Sequence, residues 1–344
     1  MEYRVHMDFS IDVLDVVRIC ERAAKVILEV YGSEARRARR GEGRRGPRGR
    51  REAAGRGRGR SRSCARGGSR GPGDSQQVAD WQVETKADNS PVTKADKQAN
   101  ELICRELLAL APHVPIVSEE NRAVDYAVRK SYLYSWCVDP LDGTKEFLSR
   151  NGQFTVNVAL LRGSSPVMGV VVVPVTGDAY WAAEGCGAWA RRGGRAEPER
   201  IAVGRYRSTD PGLKLVGSIR HAGKETKAFA DRFQSPEFVQ LGSSLKLLMV
   251  ASGEAAAYPR LAPTCEWDTA AGHAIVKEAG GRVLRAGACD GASGAALEDW
   301  QQALAKAEEV EYNKEDPLNP YFVAVGNFED IDRVLEPRAA QDDA

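Results

Sequence analysis

One stretch constrains the fold more than any other: Val138-Asp139-Pro140-Leu141-Asp142-Gly143-Thr144-Lys145-Glu146-Phe147. Tyr134 to Val138, just before it, read as a strand, and Thr144 to Leu148 read as the first turn of a helix. Between them, Pro140 holds φ near ~−65° and lacks a backbone donor. Gly143 opens backbone angles closed to other residues. Asp139 and Asp142 can therefore converge on one point at the end of a strand. A strand end, two carboxylates and a helix start make a place to hold a cation and a phosphate together. An Asp-Gly pair after a strand also makes an ordinary turn, so the rest of the chain has to decide.

Before that stretch, Val13, Val17, Cys20, Ala24, Ile27 and Tyr31 recur at helical spacing and predict an amphipathic packing helix over 10–31. Ser10 is its expected N-cap and Gly32 its expected stop. Residues 34–79 are rich in Arg and Gly. Between 34 and 74 the chain holds 15 Arg, no Lys and 4 acids, a charge of +11. Subtracting this from the net +1 of the whole chain leaves −10 on the remainder, so an acidic folded part and a basic tract must be read separately. The tract has too few apolar residues to offset its ordering entropy, and disorder is expected. It lacks aromatic platforms before Trp81, which argues against RNA binding through stacking.

Asp80 to Lys86 read as a short strand, Ala87 to Asp96 as a polar loop, and about Lys94 to Leu110 as a helix with Ala99, Ile103, Leu107 and Leu110 on one face. Val114 to Val117 predict a strand delivering Ser118-Glu119-Glu120. Three strands follow, Phe154–Leu161, Val167–Val173 and Ala179–Ala183. Later come a strand over Leu213–Ser218, helices over Leu245–Ser252 and Trp267–Gly280, a loop over 286–300, and strands at Arg282–Leu284 and Tyr321–Val325. Successive strands followed by βα alternation predict an α+β half, 1–33 and 80–203, then an α/β half, 204–336, with 337–344 as a tail.

No apolar run approaches the ~20 residues that span a bilayer. The N-terminus shows no secretory or transit pattern. Seven scattered cysteines without a Cys-x-x-Cys suit reduced thiols in a cytoplasmic setting, with an organelle the alternative if the true N-terminus differs.

Glu119 follows a strand, Asp139 and Asp142 follow another, Asp268 opens a helix, and Asp96 sits beside Thr93. Alone, each reads as a cap or a surface charge. Gathered at one point they repel, by on the order of 4 kcal/mol per pair at about 4 Å and an effective dielectric near 20. Oxygen ligands without a nearby His favour Mg²⁺ over Zn²⁺. The chemistry implied is metal-assisted phosphate hydrolysis.

Two motifs then carry a resemblance. Asp139-Pro140-Leu141-Asp142-Gly143-Thr144 stands about 125 residues before Trp267-Asp268-Thr269-Ala270-Ala271-Gly272-His273, which is followed by Glu278-Ala279-Gly280-Gly281. With Ser118-Glu119-Glu120 upstream, the chain resembles the lithium-sensitive, Mg²⁺-dependent phosphatases typified by inositol monophosphatase and fructose-1,6-bisphosphatase. Lys86 to Thr93, Gly143 to Phe147, Gly152 to Asn157 and Gly242-Ser243-Ser244-Leu245-Lys246 are most similar to the 3′(2′),5′-bisphosphate nucleotidases of CysQ type. Outside 34–79 and roughly 286–310 the resemblance spans the chain.

The resemblance implies an α-β-α-β-α layered sandwich interrupted by the Arg/Gly insertion. It implies that Glu119, Asp139, Asp142, Asp268 and the Leu141 carbonyl ligate two to three Mg²⁺. Thr144, oriented with Asp96, would help activate water for in-line attack. Gly143 and Thr144 would meet the phosphate, and Ser218, His221, Gly242, Lys246 and Asp268 the nucleotide. Where the look-alikes often read Ser-Arg-Ser-His, this chain reads Ser218-Ile219-Arg220-His221, so Arg220 is displaced by one position. The expected substrate is adenosine 3′,5′-bisphosphate, with its 5′-sulfated form as a second. The rivals are an inositol or sugar phosphate phosphatase with the same metals, and an RNA-associated protein working through 34–79. No membrane partner is expected, and the sequence leaves oligomeric state open.

Overall fold

The computed structural model describes residues 4–6, 10–42, 84–85, 91–193, 197–218, 223–287 and 300–337. Strands β1 (Arg4–His6) and β2 (Ser10–Asp12) form a hairpin, and β3 (Glu84–Thr85) pairs with β4 (Pro91–Val92). The first helix runs Val13–Glu42. Two expectations are corrected here. Ser10 belongs to β2, and Asp12 instead accepts the Leu14 N–H at 2.9 Å. Gly32 does not stop the helix, since one glycine costs about 1 kcal/mol, less than the good formers around it contribute. The helix continues to Glu42. Residues 43–79 and 288–299 lie outside the described residues, as does most of the strand expected at 80–86.

A seven-stranded sheet comprises β5 (Ile116–Ser118), β6 (Tyr134–Asp142), β7 (Thr155–Arg162), β8 (Ser165–Val173), β9 (Asp178–Ala183), β10 (Gly187–Arg191) and β11 (Glu199–Ile201). It is ordered β11-β10-β9-β8-β7-β6-β5. All neighbours are antiparallel except β5 and β6. Side chains alternate across the sheet. Trp136, Val138, Val156, Val158, Leu160, Val170 and Val172 face the Val13–Glu42 and Lys94–Leu110 helices. Cys137, Ala159, Leu161, Val171 and Val173 face the Leu245–Ala251 and Glu266–Glu278 helices.

After the short strand β12 (Arg205–Tyr206), β13 (Lys214–Ser218), β14 (Glu237–Leu241), β15 (Ala257–Arg260), β16 (Arg282–Arg285) and β17 (Phe322–Val325) form a second sheet, ordered β14-β13-β15-β17-β16. A last strand, β18 (Asn327–Phe328), pairs with β12. Alternation recurs: Val216, Tyr258, Val283, Phe322 and Ala324 turn toward the two middle helices. Leu215, Ala257, Leu284, Val323 and Val325 turn outward onto Phe229, Ala230, Leu304, Val334 and Leu335, from the helices Lys224–Ala230, Trp300–Ala305 and Ile331–Leu335. The layers are helix, sheet, helix, sheet, helix, as expected. The Glu266–Glu278 helix, late in the chain, thus packs on the early sheet. That approach is close: a Cβ on Gly169 of β8 would lie 2.2 Å from the Ala271 carbonyl oxygen.

Candidate metal centre

The site is built where β6 ends. Its pairing with β7 runs in register to Asp139 opposite Asn157, then shifts before Asp142 meets Thr155. The irregularity falls on Pro140, which cannot donate to a ladder. Gly143 follows at φ 92°, in the left-handed region open to glycine, and caps the short helix Thr144–Leu148. Asp139 is buried at 1 % exposure, with its Oδ1 accepting the Leu141 N–H at 3.0 Å. Leu141 itself points its side chain into the core.

Asp268 arrives from the second motif. It is the third residue of the Glu266–Glu278 helix, and its Oδ2 accepts the Cys265 N–H at 2.9 Å. The N-cap role expected of Asp268 is corrected: Cys265 holds that position, and Asp268, three residues on, reaches back to the Cys265 N–H to close a capping box. Asp139, Asp142 and Asp268 each offer an oxygen within 4.8 Å of the others. Glu119, whose N–H donates to Val138 O at 3.1 Å, lies close enough to hydrogen-bond the Asp139 carboxyl. Burial, then the charges of Glu119, Asp142 and Asp268, push Asp139 well above the carboxylate range. Burial, then Asp142 and Glu119, push Asp268 up to about 8. Such mutual elevation marks a group of acids short of positive charge. All-oxygen donors in this spacing fit a hard divalent cation.

Asp96 and Thr144 meet as expected: Thr144 Oγ1 donates to Asp96 Oδ1 at 3.2 Å. Asp96 Oδ2 accepts the Thr93 N–H at 2.8 Å and the Thr93 hydroxyl at 2.5 Å. Burial above all raises Asp96 to about 6, and Glu120 adds to the rise.

The nucleotide contacts divide. His221 lies outside the described residues. Ser218 ends β13 opposite Leu241, at the carboxyl edge of parallel strands where ligands gather in open α/β sheets. Gly242 follows directly. Lys246 is nearly buried. Its ammonium donates to Ser243 O at 2.5 Å and Leu241 O at 3.4 Å, and lies 5.5 Å from the Tyr258 ring centre. Burial, reinforced by the Arg260 charge, lowers it to about 8.

A family model for the inositol monophosphatase family matches residues 73–318, a span holding every acid of this centre. The chain belongs to the inositol monophosphatase family. Within that family it is 41% identical over 241 residues to the 3′(2′),5′-bisphosphate nucleotidase CysQ of Shigella flexneri, covering 70% of this chain and 87% of the relative. The crystal structure of CysQ from Bacteroides thetaiotaomicron aligns with TM-score 0.62 and 33% identity, over 91% of this chain and 96% of that one. The suhB protein of Bartonella henselae, 21% identical, shares the fold at TM-score 0.61 over 95% and 99% of the two chains.

The structure of this family member also assigns site work to residues that the sequence reading used only as part of the resemblance. Asp142 Oδ2 accepts the Ser243 hydroxyl at 2.7 Å and the Ser244 hydroxyl at 3.0 Å, with Asn157 Nδ2 at 3.4 Å. Asn157 Nδ2 also donates to Ser244 Oγ at 2.8 Å, and Thr155 Oγ1 to Asn157 Oδ1 at 2.9 Å. The signal was present: Thr155 and Asn157 are two polar residues at i and i+2 on an otherwise apolar strand, hence on one face. Arg260, whose charge bears on Asp268 and Lys246, carried no such signal, since a lone Arg at a strand end is commonplace.

Proposed function

We propose that the chain is a Mg²⁺-dependent 3′(2′),5′-bisphosphate nucleotidase that removes the 3′-phosphate of adenosine 3′,5′-bisphosphate. What carries the reading is the convergence of Asp139, Asp142 and Asp268 beside the Asp96–Thr144 pair. The names of its relatives direct it to a nucleotide bisphosphate.

Bound Mg²⁺, as two or three ions, supplies Lewis-acid polarisation of the phosphate and acidifies a coordinated water. Glu119, Asp139, Asp142, Asp268 and the Leu141 carbonyl are the residues that would hold it. Thr144 gives its hydroxyl proton to Asp96, which leaves its oxygen able to accept one from water. Asp96, raised to about 6, lies near the range where a carboxylate takes a proton usefully at neutral pH. The backbone N–H groups of Gly143 and Thr144 are assigned to the phosphate, and Ser218, His221, Gly242 and Lys246 to the rest of the nucleotide. Lys246 does so through the turn it holds. The division into halves, 1–33 with 80–203 and then 204–336, is part of the same proposal and puts the acids at the seam. So is a cytoplasmic setting, which suits five free cysteines among the described residues and the absence there of any helix long and apolar enough to cross a membrane.

The test is phosphate release from adenosine 3′,5′-bisphosphate, its 5′-sulfated form and inositol monophosphate, each with and without lithium. The nucleotide should be hydrolysed with Mg²⁺, lithium should inhibit, and Asp139→Asn should abolish turnover. Hydrolysis of inositol monophosphate with none of the nucleotide would overturn the substrate assignment.

A further inference from the structure

We propose that Gln153 is a positioning residue of the metal centre: its side-chain carbonyl fixes the Gly242–Ser244 turn, and through that turn it fixes the Asp142 carboxylate. The inference rests on the metal-holding reading of the site given above.

Gln153 Oε1 accepts the Gly242 N–H at 2.8 Å. Gln153 is itself anchored, its own N–H donating to Asn151 Oδ1 at 2.9 Å. The residue after Gly242 is Ser243, and its φ is 54°. A residue with a Cβ holds that left-handed conformation at a cost on the order of 1–3 kcal/mol, and only where its surroundings over-determine it. Two groups do so here. Gln153 pins the amide before it, and Lys246 draws its carbonyl.

The consequence reaches the acids. In this conformation Ser243 Oγ and Ser244 Oγ both reach Asp142 Oδ2, at 2.7 and 3.0 Å. The Ser243 hydroxyl is the nearer donor, and the Ser244 hydroxyl, shared with the Asp268 carbonyl at 2.9 Å, flanks the same oxygen, so the two together limit the rotation of the carboxylate. A cation then meets Asp142 already oriented, as outer hydrogen bonds orient metal ligands generally. Thr155 Oγ1, 2.6 Å from Ser243 Oγ, and Asn157 support the hydroxyls from β7. Without the Gln153 acceptor the Gly242 amide would lose its partner, and the turn could relax toward ordinary backbone angles. That would carry the Ser243 hydroxyl off Asp142. Gln153 acts on the ligand only through this chain of bonds, so its loss should be read first in metal affinity.

The experiment titrates Mn²⁺ alone into full-length protein stripped by chelator, following free ion by electron paramagnetic resonance. Gln153→Leu should weaken Mn²⁺ binding about tenfold, the lower end for outer partners of metal ligands, with thermal unfolding in chelator close to wild type. Gln153→Glu keeps an acceptor oxygen at the same place and should bind Mn²⁺ no more weakly than wild type. Should Gln153→Leu not fold, Gln153→Ala carries the same expectation. Wild-type affinity in the Leu or Ala variant, or equal weakening in Leu and Glu, overturns the role of Gln153. Wild-type protein whose Mn²⁺ binding is unchanged by Asp139→Asn overturns instead the metal reading beneath it.

Discussion

Asp139 lies buried beside Glu119, Asp142 and Asp268, and this crowding sets how the metal-free protein answers pH. Burial and neighbouring charge raise Asp268 from its ordinary 3.8 to about 8, and burial raises Asp96 to about 6. Asp139 moves in the same direction. A carboxyl raised by folding stabilises the fold fully below its unfolded value, and that stability is lost as pH rises through the folded value. In chelator, the unfolding temperature should therefore fall between about pH 4 and pH 8, by several degrees. His273 opposes this. Buried, with Tyr312 OH 3.0 Å from Nδ1 and Glu309 3.7 Å from Nε2, it is lowered by burial, and its partner Glu309 is lowered too by that contact, but over this range the three raised acids outweigh both. Saturating Mg²⁺ should flatten the slope. A chelator profile that rises over this range would contradict the assignment of shared charge. At the same scale, Thr144→Ala should cut kcat by about 100-fold or more while Thr144→Ser keeps most of it, because the proposed mechanism uses only the hydroxyl that meets Asp96.

At the scale of elements, the Glu266–Glu278 helix carries Asp268 and must sit at a fixed height over the first sheet. Small residues permit this. Ala270, Ala271 and Ala274 are buried, and Gly169 of β8 faces the Ala271 carbonyl with no room for a methyl group. Gly169→Ala should destabilise by about 1–3 kcal/mol, measured by chemical denaturation. It should also lower turnover beyond what the stability loss explains, since it lifts Asp268 away from Asp139. The far side of that helix is latched too. Glu266 accepts the Asn313 and Lys314 N–H groups at 2.9 and 3.0 Å and pairs with the Lys314 ammonium. Arg129 donates to Asn313 Oδ1 and Glu315 O at 3.0 and 2.9 Å.

At the scale of the molecule, one hydrophobic cluster takes residues from both sheets: Ala159, Leu161 and Val171 with Val216, Phe322 and Ala324. The two sheets therefore share a core, and the Glu266–Glu278 helix that carries Asp268 belongs to it. None of the residues placed in the centre falls between 43 and 79. Removal of that segment should leave phosphate release within about twofold, since positions outside a site rarely change its energetics by more than a few tenths of a kcal/mol. Loss of RNA binding without loss of hydrolysis would revive the RNA-associated rival, and a filter-binding assay on the deletion decides it.

Strand and helix periodicity and the two acidic motifs were legible in the sequence because each rests on local spacing, whereas the layer order came from the family resemblance those motifs carry. Residues 94–110 follow their apolar face, whereas the capping box that Thr93 closes with Asp96 was read only as a polar loop. The ends of the first helix were not legible, because Gly32 and Ser10 are weak local signals that tertiary context and neighbouring residues outweigh. Nor was the work of Ser243, Ser244 and Gln153, because hydrogen bonds between residues up to 102 apart in sequence leave no periodic trace. The sequence alone thus determined which acids the chain possesses and on which elements they lie. Only the tertiary structure decided that three of them come within 4.8 Å and which hydroxyls hold them there, because that proximity follows from two sheets and a helix packing on a shared core.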